Sequence, residues 1–406
     1  MDEQPIVLEY QSASGLTHQM TYYPDYTTIR LRNKDIVSID LSPLQDHQHL
    51  EKLDLSRNRL EKVDLTPLQQ CINLRQLLLH NNRLKKVDLD PLQHCSHLQH
   101  ITLNGNPLRK VDLTPLQHCR HLQRLMLHRT LLQKIDLTSL QKCSNLQQLT
   151  LSRNFLGSKL NLQPLQACQN LRVLDLHNSR LTRLDLTPLQ HCPQLENLDI
   201  SINQLEQIDL APIKDCVRLQ YLLLHRNQLQ HLDLTPLQHF TQLRQLNLYS
   251  NQLQQLDLSS LQYYTRLQLL NLAANKLVAL NLAPLQHCSN LVSFSLAVNQ
   301  LTKLDLTPLQ HCRNLKWLNL EYNQLAEIDL TPLQHCRRLT HFHLGQNPTK
   351  QIDLTPLFQC PTLFVLGLPS TAEFTASARF KDAPVHKHVA FSKWILDKIV
   401  WQEDED

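Results

Sequence analysis

Leucine recurs along most of this chain in one spacing, L-x-x-L-x-L-x-x-N-x-L. Leu74, Leu77, Leu79, Asn82 and Leu84 fill it once, and Leu243, Leu246, Leu248, Asn251 and Leu253 fill it again. Alternation through Leu77-Leu78-Leu79 predicts a short strand with Leu77 and Leu79 facing inward. Val63-Asp64-Leu65 predicts a second short extended segment. Thr66 then reads as a helix N-cap and Pro67 as the first helical position. Leu68, Cys71 and Leu74 follow at the spacing of one buried helical face, so a short α- or 3₁₀-helix is expected there. The segment beginning at Asp64 recurs from Asp40 to Asp353 in 14 units. Every step is 24 residues except one of 25, where Gly157-Ser158 adds a residue.

Strand, turn asparagine and short helix at this period resemble the leucine-rich-repeat family, over about residues 28–370. The resemblance implies an α/β fold: a right-handed solenoid, or horseshoe. A parallel β-sheet would line its concave face and short α- or 3₁₀-helices its convex face. It also implies a buried ladder of turn asparagines at the Asn82 slot. Thr130, Ser179 and Lys34 replace asparagine there. The period and the Asp-Leu-Thr-Pro-Leu segment are similar to those of cytosolic microbial members.

The ends break the pattern, as the exposed apolar ends of a repeat array require. Residues 1–27 are expected to form an N-terminal cap, a β-hairpin of residues 6–10 and 18–23 around Ser14-Gly15. Residues 28–370 hold the array, whose degenerate first row uses Ile29, Leu31, Ile36 and Ile39. Residues 371–406 are expected to form a C-terminal cap. It would carry an amphipathic helix over about 388–401, with Phe391, Trp394, Ile395 and Ile399 on the docking face, and an acidic tail.

Composition adds limits. Hydrophobic residues make up 42% of the 406, but aromatics only 5%, so leucine supplies the core. With 5 glycines, flexible linkers are not expected. The net charge of +4 is too small to imply a polyanionic partner. The start of the chain does not read as a signal peptide and no segment suits a membrane span, so a cytoplasmic protein is expected.

Three residue types recur at fixed slots and tempt a chemical reading. All 11 cysteines share one slot, which Phe240, Tyr264 and His47 also fill. A slot that accepts Phe is a core slot, so neither disulfides nor zinc is expected. His94, His118, His191, His287, His311 and His335 precede cysteines, but neighbours on a helical turn point apart. The histidines read as a solvated ridge. Asp occupies one outward slot in 12 of 14 units. Lys62, Lys86, Lys110, Lys134, Lys159, Arg183 and Lys303, two positions earlier, are expected to neutralise it, with the following Thr hydroxyl as another partner. No cofactor or metal is expected, and no hydrolase, phosphate-loop or dinucleotide motif occurs, so the chain reads as non-catalytic.

Slots that vary between units on an exposed face are free to encode recognition. Around the concave strand these place Tyr221, His225, Arg226, Tyr249, Trp317, Asn319, Tyr322 and His343 in a candidate partner-binding surface. Tyr, Trp and Arg are the residue types enriched in binding hot spots. Between them, Leu269, Asn271, Ala273, Ala274, Ser293, Ser295 and Ala297 predict a small, neutral floor. Arg57, Arg129 and Arg153 form a secondary basic patch in the more basic first half. The expected function is a protein- or peptide-binding scaffold, monomeric, with no nucleic-acid partner expected. The alternatives are a polyanion binder and a regulatory subunit of an enzyme.

Overall fold

The computed structural model describes residues 5–381 and 393–403, in two compact units, 1–204 and 205–406. Each is a stack of rows, and one row shows why the sequence folds this way. Leu60, Leu65, Leu68, Cys71, Leu74, Leu77 and Leu79 are all buried inside a single turn of chain. Burying one leucine contributes about 2 kcal/mol, so each row brings its own share of core.

In the first unit the strands Thr28–Arg30, Lys52–Asp54, Gln76–Leu78, His100–Thr102, Arg124–Met126, Gln148–Thr150, Val173–Asp175 and Asn197–Asp199 pair in parallel, in chain order. Register is in step with the repeat, as in Leu77↔Ile101 and Leu149↔Leu174. The inserted residue is absorbed by an extra 3₁₀ turn, Gly157–Lys159, away from the sheet. Ile6–Ser12 and Thr17–Tyr22 pair antiparallel, and Ile36–Ile39 joins the outer side of the first strand.

In the second unit Tyr221–Leu223, Gln245–Asn247, Leu269–Asn271, Ser293–Ser295, Trp317–Asn319, His341–His343 and Val365–Gly367 form the parallel ladder. A separate small sheet joins Gln351–Asp353, Glu373–Ser377 and Ile399–Gln402. This corrects the helix expected over 388–401. Among the described residues of that stretch, helix covers Lys393–Leu396, and Ile399–Gln402 is a strand parallel to Glu373–Ser377. The strand satisfies the open backbone edge of Glu373–Ser377, and its register sets buried Ile399 opposite buried Phe374. Residues 388–392 of the expected helix, and 404–406 of the expected tail, lie outside the described residues.

On the other side of each row runs a 3₁₀ helix, such as Thr66–Gln70 or Thr307–His311. Thr66 does not cap it. The preceding Asp does: Asp64 Oδ1 accepts the Thr66 N–H at 2.9 Å. The same bond, from the N–H two residues on, recurs at Asp40, Asp88, Asp112, Asp136, Asp185, Asp209, Asp233, Asp257, Asp305, Asp329 and Asp353. Asn161 and Asn281 make it equally, at 2.9 Å. The slot therefore selects a short side chain with an acceptor oxygen, not a charge. Among the described residues no ion pair joins it to the expected Lys/Arg column. Lys303 instead reaches Glu327.

Asparagine at the Asn82 slot forms the expected ladder. Asn82 Nδ2 donates to the carbonyls of Leu55 and Leu79, and its Oδ1 accepts the Leu60 N–H. Thr130 and Ser179 keep one such bond through their hydroxyls, to Leu127 and Leu151. The cysteines are all unbridged and buried. Their thiols donate to a leucine carbonyl one row back, as Cys119 does to Leu92. Tyr264 does the same with its hydroxyl, to Leu237 at 3.1 Å.

Candidate binding surface

The three-residue strand turns its first and third side chains outward and its second into the core. A tight corner follows, and its conformation decides where several candidate residues sit. The residue before each ladder asparagine is left-handed: Arg57 (φ 55°), Arg129 (57°), Arg153 (54°), Arg226 (54°), Val298 (57°) and Tyr322 (54°) all occupy this corner. There the backbone N–H turns onto a carbonyl of the following row, as Arg129 does onto Ser152 and Tyr322 onto Gly345. Left-handed backbone costs a non-glycine residue about 1 kcal/mol or more. Gly105 avoids that cost with φ 71°, and a Cβ there would collide with Asn81 Oδ1. The corner throws its side chain outward, so candidates from different rows share one edge of the strand face.

The eight candidate residues fall into two groups in the second unit. Trp317, Asn319 and His343 come together, and Tyr322 stands at the corner of the Trp317 row. Trp317, 38% exposed, stacks on His341 with ring centroids 4.6 Å apart and lies 5.3 Å from the His343 ring. Phe364 continues the platform edge-on to His341 at 6.4 Å and is 60% exposed. His343 Nδ1 lies 3.5 Å from Glu321 Oε1, and its Nε2 is buried without a hydrogen-bond partner among the described residues. Gly367 keeps this spot open, since a Cβ there would stand 3.1 Å from His343 Nδ1 and 3.2 Å from Glu321 Oε1. Asn319 uses its side-chain oxygen on the Glu321 N–H, so it shapes the corner as well as facing outward.

Tyr221, His225, Arg226 and Tyr249 form the second group. The Arg226 guanidinium lies over the Tyr249 ring, 5.8 Å from its centroid, and Tyr221 borders a small hollow with Arg244, Gln268 and Val292. Between the groups run the rows of Leu269–Asn271 and Ser293–Ser295, where Ala273 and Ala297 are nearly flush. Tyr249 and Trp317 belong to strand rows three steps apart, roughly 14 Å by sheet spacing. The basic patch does not hold together. Arg129 and Arg153 are in neighbouring rows, but Arg57 is three rows from Arg129. Arg153 Nε is also engaged by His177 Nε2 at 3.2 Å.

Phe364 precedes the strand Val365–Gly367 in the last, degenerate row, so no repeat slot marks it in the sequence. His341 and Glu321 are visible as variable slots, but only register brings them onto Trp317 and His343. The first unit has its own cluster. Asp175, His177 and Asp199 place ligand-type atoms within 4.8 Å of one another. Burial pushes the Asp175 carboxyl up, but hydrogen bonds from His177 and Ser152 outweigh this and hold it low. The bond to Asp175 raises the His177 imidazole, against its burial.

Away from the strands, an open groove of about 990 Å³ runs over Ile208, Leu232, Leu256 and Leu280, edged by Asp233, Asp257 and Asp305. It follows from slots that repeat in row after row, and its carboxylates serve the 3₁₀ turns, so it is architecture. The Cys–His pairs are equally inert. Cys119 and Cys312 are fully buried, and burial pushes their thiols up to about 12, while His118 and His311 are exposed on the other side. A thiol so rarely ionised is no nucleophile. Among the described residues, no helix is long and apolar enough to cross a membrane.

Known proteins share this geometry. A leucine-rich-repeat protein of Leptospira interrogans is 22% identical, covers 93% of this chain and 90% of its own, and superposes with a TM-score of 0.75. The functional domain of InlJ from Listeria monocytogenes, which includes a cysteine ladder, is 22% identical over 88% of this chain and 76% of its own, with a TM-score of 0.68. A plant peptide hormone receptor, RGFR1 in complex with RGF2, is 20% identical over 88% and 68%, with a TM-score of 0.54. No curated protein sequence matches. The family described as leucine rich repeat matches residues 48–108, 96–156, 169–229, 217–277, 265–325 and 289–349, more than half the chain. With the strand, ladder and turn of each row already in place, that match means the chain belongs to the leucine-rich-repeat family.

Proposed function

We propose that this chain is a non-catalytic scaffold that binds a protein or extended peptide across the outward face of its strands. One observation carries the reading. The row-to-row variable slots gather Trp317, His341, His343, Glu321 and Phe364 into an aromatic platform with a carboxylate beside it. Nothing in the leucine core calls for an indole there, and exposed Trp and Tyr are the residues that binding hot spots favour. Tyr322, 56% exposed, stands at the corner of the same row as Trp317. The flush rows around Ala273 and Ala297 let an extended ligand lie flat between Trp317 and Tyr249. The likeness of fold to a plant peptide hormone receptor solved in complex with RGF2 supports the same class of ligand.

The polyanion reading is weaker, because Arg57 stands apart from Arg129 and Arg153. We place the protein in a reducing compartment, the cytoplasm, on the strength of its eleven unbridged thiols. We further propose that it acts as a monomer.

Affinity capture from native lysate, with wild type and Trp317→Ala/Tyr249→Ala as baits, tests the binding face. The double variant is expected to lose a protein or peptide that wild type retains, with little change between low and moderate salt. Equal recovery by both baits overturns the reading. A wild-type complex that dissolves steeply with salt favours a phosphate-bearing partner instead.

A further inference from the structure

We infer that Asp175, His177 and Asp199 form a binding site for one divalent transition-metal ion, with zinc as the natural probe. The inference does not depend on the binding reading above, because it concerns different residues in the first unit.

Asp175 and Asp199 end neighbouring parallel strands and are register partners, so two like charges stand directly opposite each other. Both are mostly enclosed, with side chains 22% and 19% exposed. Like charges so placed repel, and a cation between them turns that cost into attraction. The corner itself has no need of the charge. Asp199 Oδ1 accepts the Ser201 N–H, and Asp175 Oδ1 accepts the His177 N–H. In other rows neutral Asn247, Asn271 and Asn319 accept the equivalent N–H at 3.0–3.1 Å. Two successive carboxylates at this slot are thus surplus to the fold.

His177 supplies the third donor. Its Nδ1 lies 2.8 Å from Asp175 Oδ1 and 3.7 Å from Asp199 Oδ2. Ligands about 2.0–2.1 Å from a tetrahedral zinc lie roughly 3.3–3.4 Å from one another, between those two distances. Small side-chain rotations therefore suffice. An imidazole with two carboxylates suits zinc and its neighbours, whereas calcium and magnesium take oxygen alone. A concavity of about 370 Å³ bordered by His128, Thr150 and Ser152 lies against Asp175 and His177. Ser152 already donates to Asp175 Oδ2 at 2.7 Å and Ser201 to Asp199 Oδ1 at 2.6 Å, which orients both carboxylates.

Arg153 gives the site a signature. Its Nε donates to His177 Nε2, which requires the imidazole proton to sit on Nδ1. A metal on Nδ1 moves that proton to Nε2, and the Arg153 contact must open. Arg153 therefore competes with the metal.

Calorimetric titration of the full chain with zinc alone, at neutral pH, tests the site. One zinc per chain with micromolar affinity is expected. Asp199→Asn keeps the turn acceptor and so the fold, and it should weaken binding at least about tenfold. His177→Gln should weaken it similarly. Arg153→Gln should bind at least as tightly as wild type, and His118→Gln, on the exposed ridge, should be unchanged. Wild type that takes up no zinc at millimolar concentration overturns the assignment. So does Asp199→Asn that binds as wild type does, or Arg153→Gln that loses binding.

Discussion

Asp112 Oδ1 accepts both the backbone N–H of Thr114, at 2.9 Å, and its hydroxyl, at 2.6 Å. Asn161 and Asn281 do the backbone part of this task without a charge. Asp112→Asn keeps the acceptor and loses only the charge-assisted part of these bonds, so it is expected to lower the urea midpoint only slightly. Asp112→Ala removes the acceptor and should cost about 1 kcal/mol. Equal losses in the two variants would mean that the charge itself matters.

The left-handed corner offers a stabilising change. Val298 holds φ 57°, where a β-branched side chain is strained, and it is 51% exposed, so little packing is at stake. Asn81 and Asn178 take the same corner at φ 56° and 51°. Val298→Asn should raise stability by about 1 kcal/mol. Gly105→Ala should lower it, because its Cβ meets Asn81 Oδ1. Thermal melts of the two variants beside wild type check both signs.

The thiols provide a probe of global opening. All eleven are buried, and burial pushes those of Cys71, Cys95 and Cys288 up to about 12. A thiol-reactive aromatic disulfide should label none of them in the native chain and all of them in denaturant. One cysteine that reacts rapidly under native conditions would contradict this account of the core.

Acid should act in two windows. Burial holds half-buried His80, His100 and His128 below the usual imidazole value. Their unfolded forms bind protons first, so stability falls as pH drops through about 6.5. His177 has the opposite sign. Its folded value is raised, so its contribution is present below about 6.5 and fades as pH rises through the folded value. His177→Gln removes the opposing contribution, so the loss on acidification should be steeper in that variant. The carboxylates of Asp64, Asp112 and Asp305, held low by hydrogen bonds from Thr66, Thr114 and Thr307, lose their contribution only as pH falls below about 4. Stability that is flat from about pH 7.5 to 5 would contradict the first window.

What was legible in the sequence was whatever repeats. Leu77, Leu79, Cys71 and Asn82 announce their burial because each slot is filled alike in row after row. Asp64 was legible as a slot and as a partner of the following Thr hydroxyl, but not as the acceptor of the Thr66 backbone N–H. Its bond to the Thr66 N–H depends on a turn that no hydrophobic period encodes, and the nearby lysines offered a plausible but wrong partner. The corner at Tyr322 and Arg226 was hidden for the same reason, since most of its occupants are not glycine. The contact of Trp317 with His341, and of Asp175 with Asp199, joins residues 24 positions apart and follows only from register. The strand Ile399–Gln402 was read as helix because Ile395 and Ile399 have helical spacing, while its partner Glu373–Ser377 has no repeat pattern to reveal it.

The central claim is that recognition uses the strand face rather than the 3₁₀ side. Amide hydrogen exchange of the chain, with and without a partner captured by wild type, measures this directly. The account predicts new protection at Trp317–Asn319, His341–His343 and the Tyr322 corner, with none at Thr307–His311 or Thr331–His335. Protection confined to those two 3₁₀ helices, with Trp317–Asn319 unchanged, would contradict it.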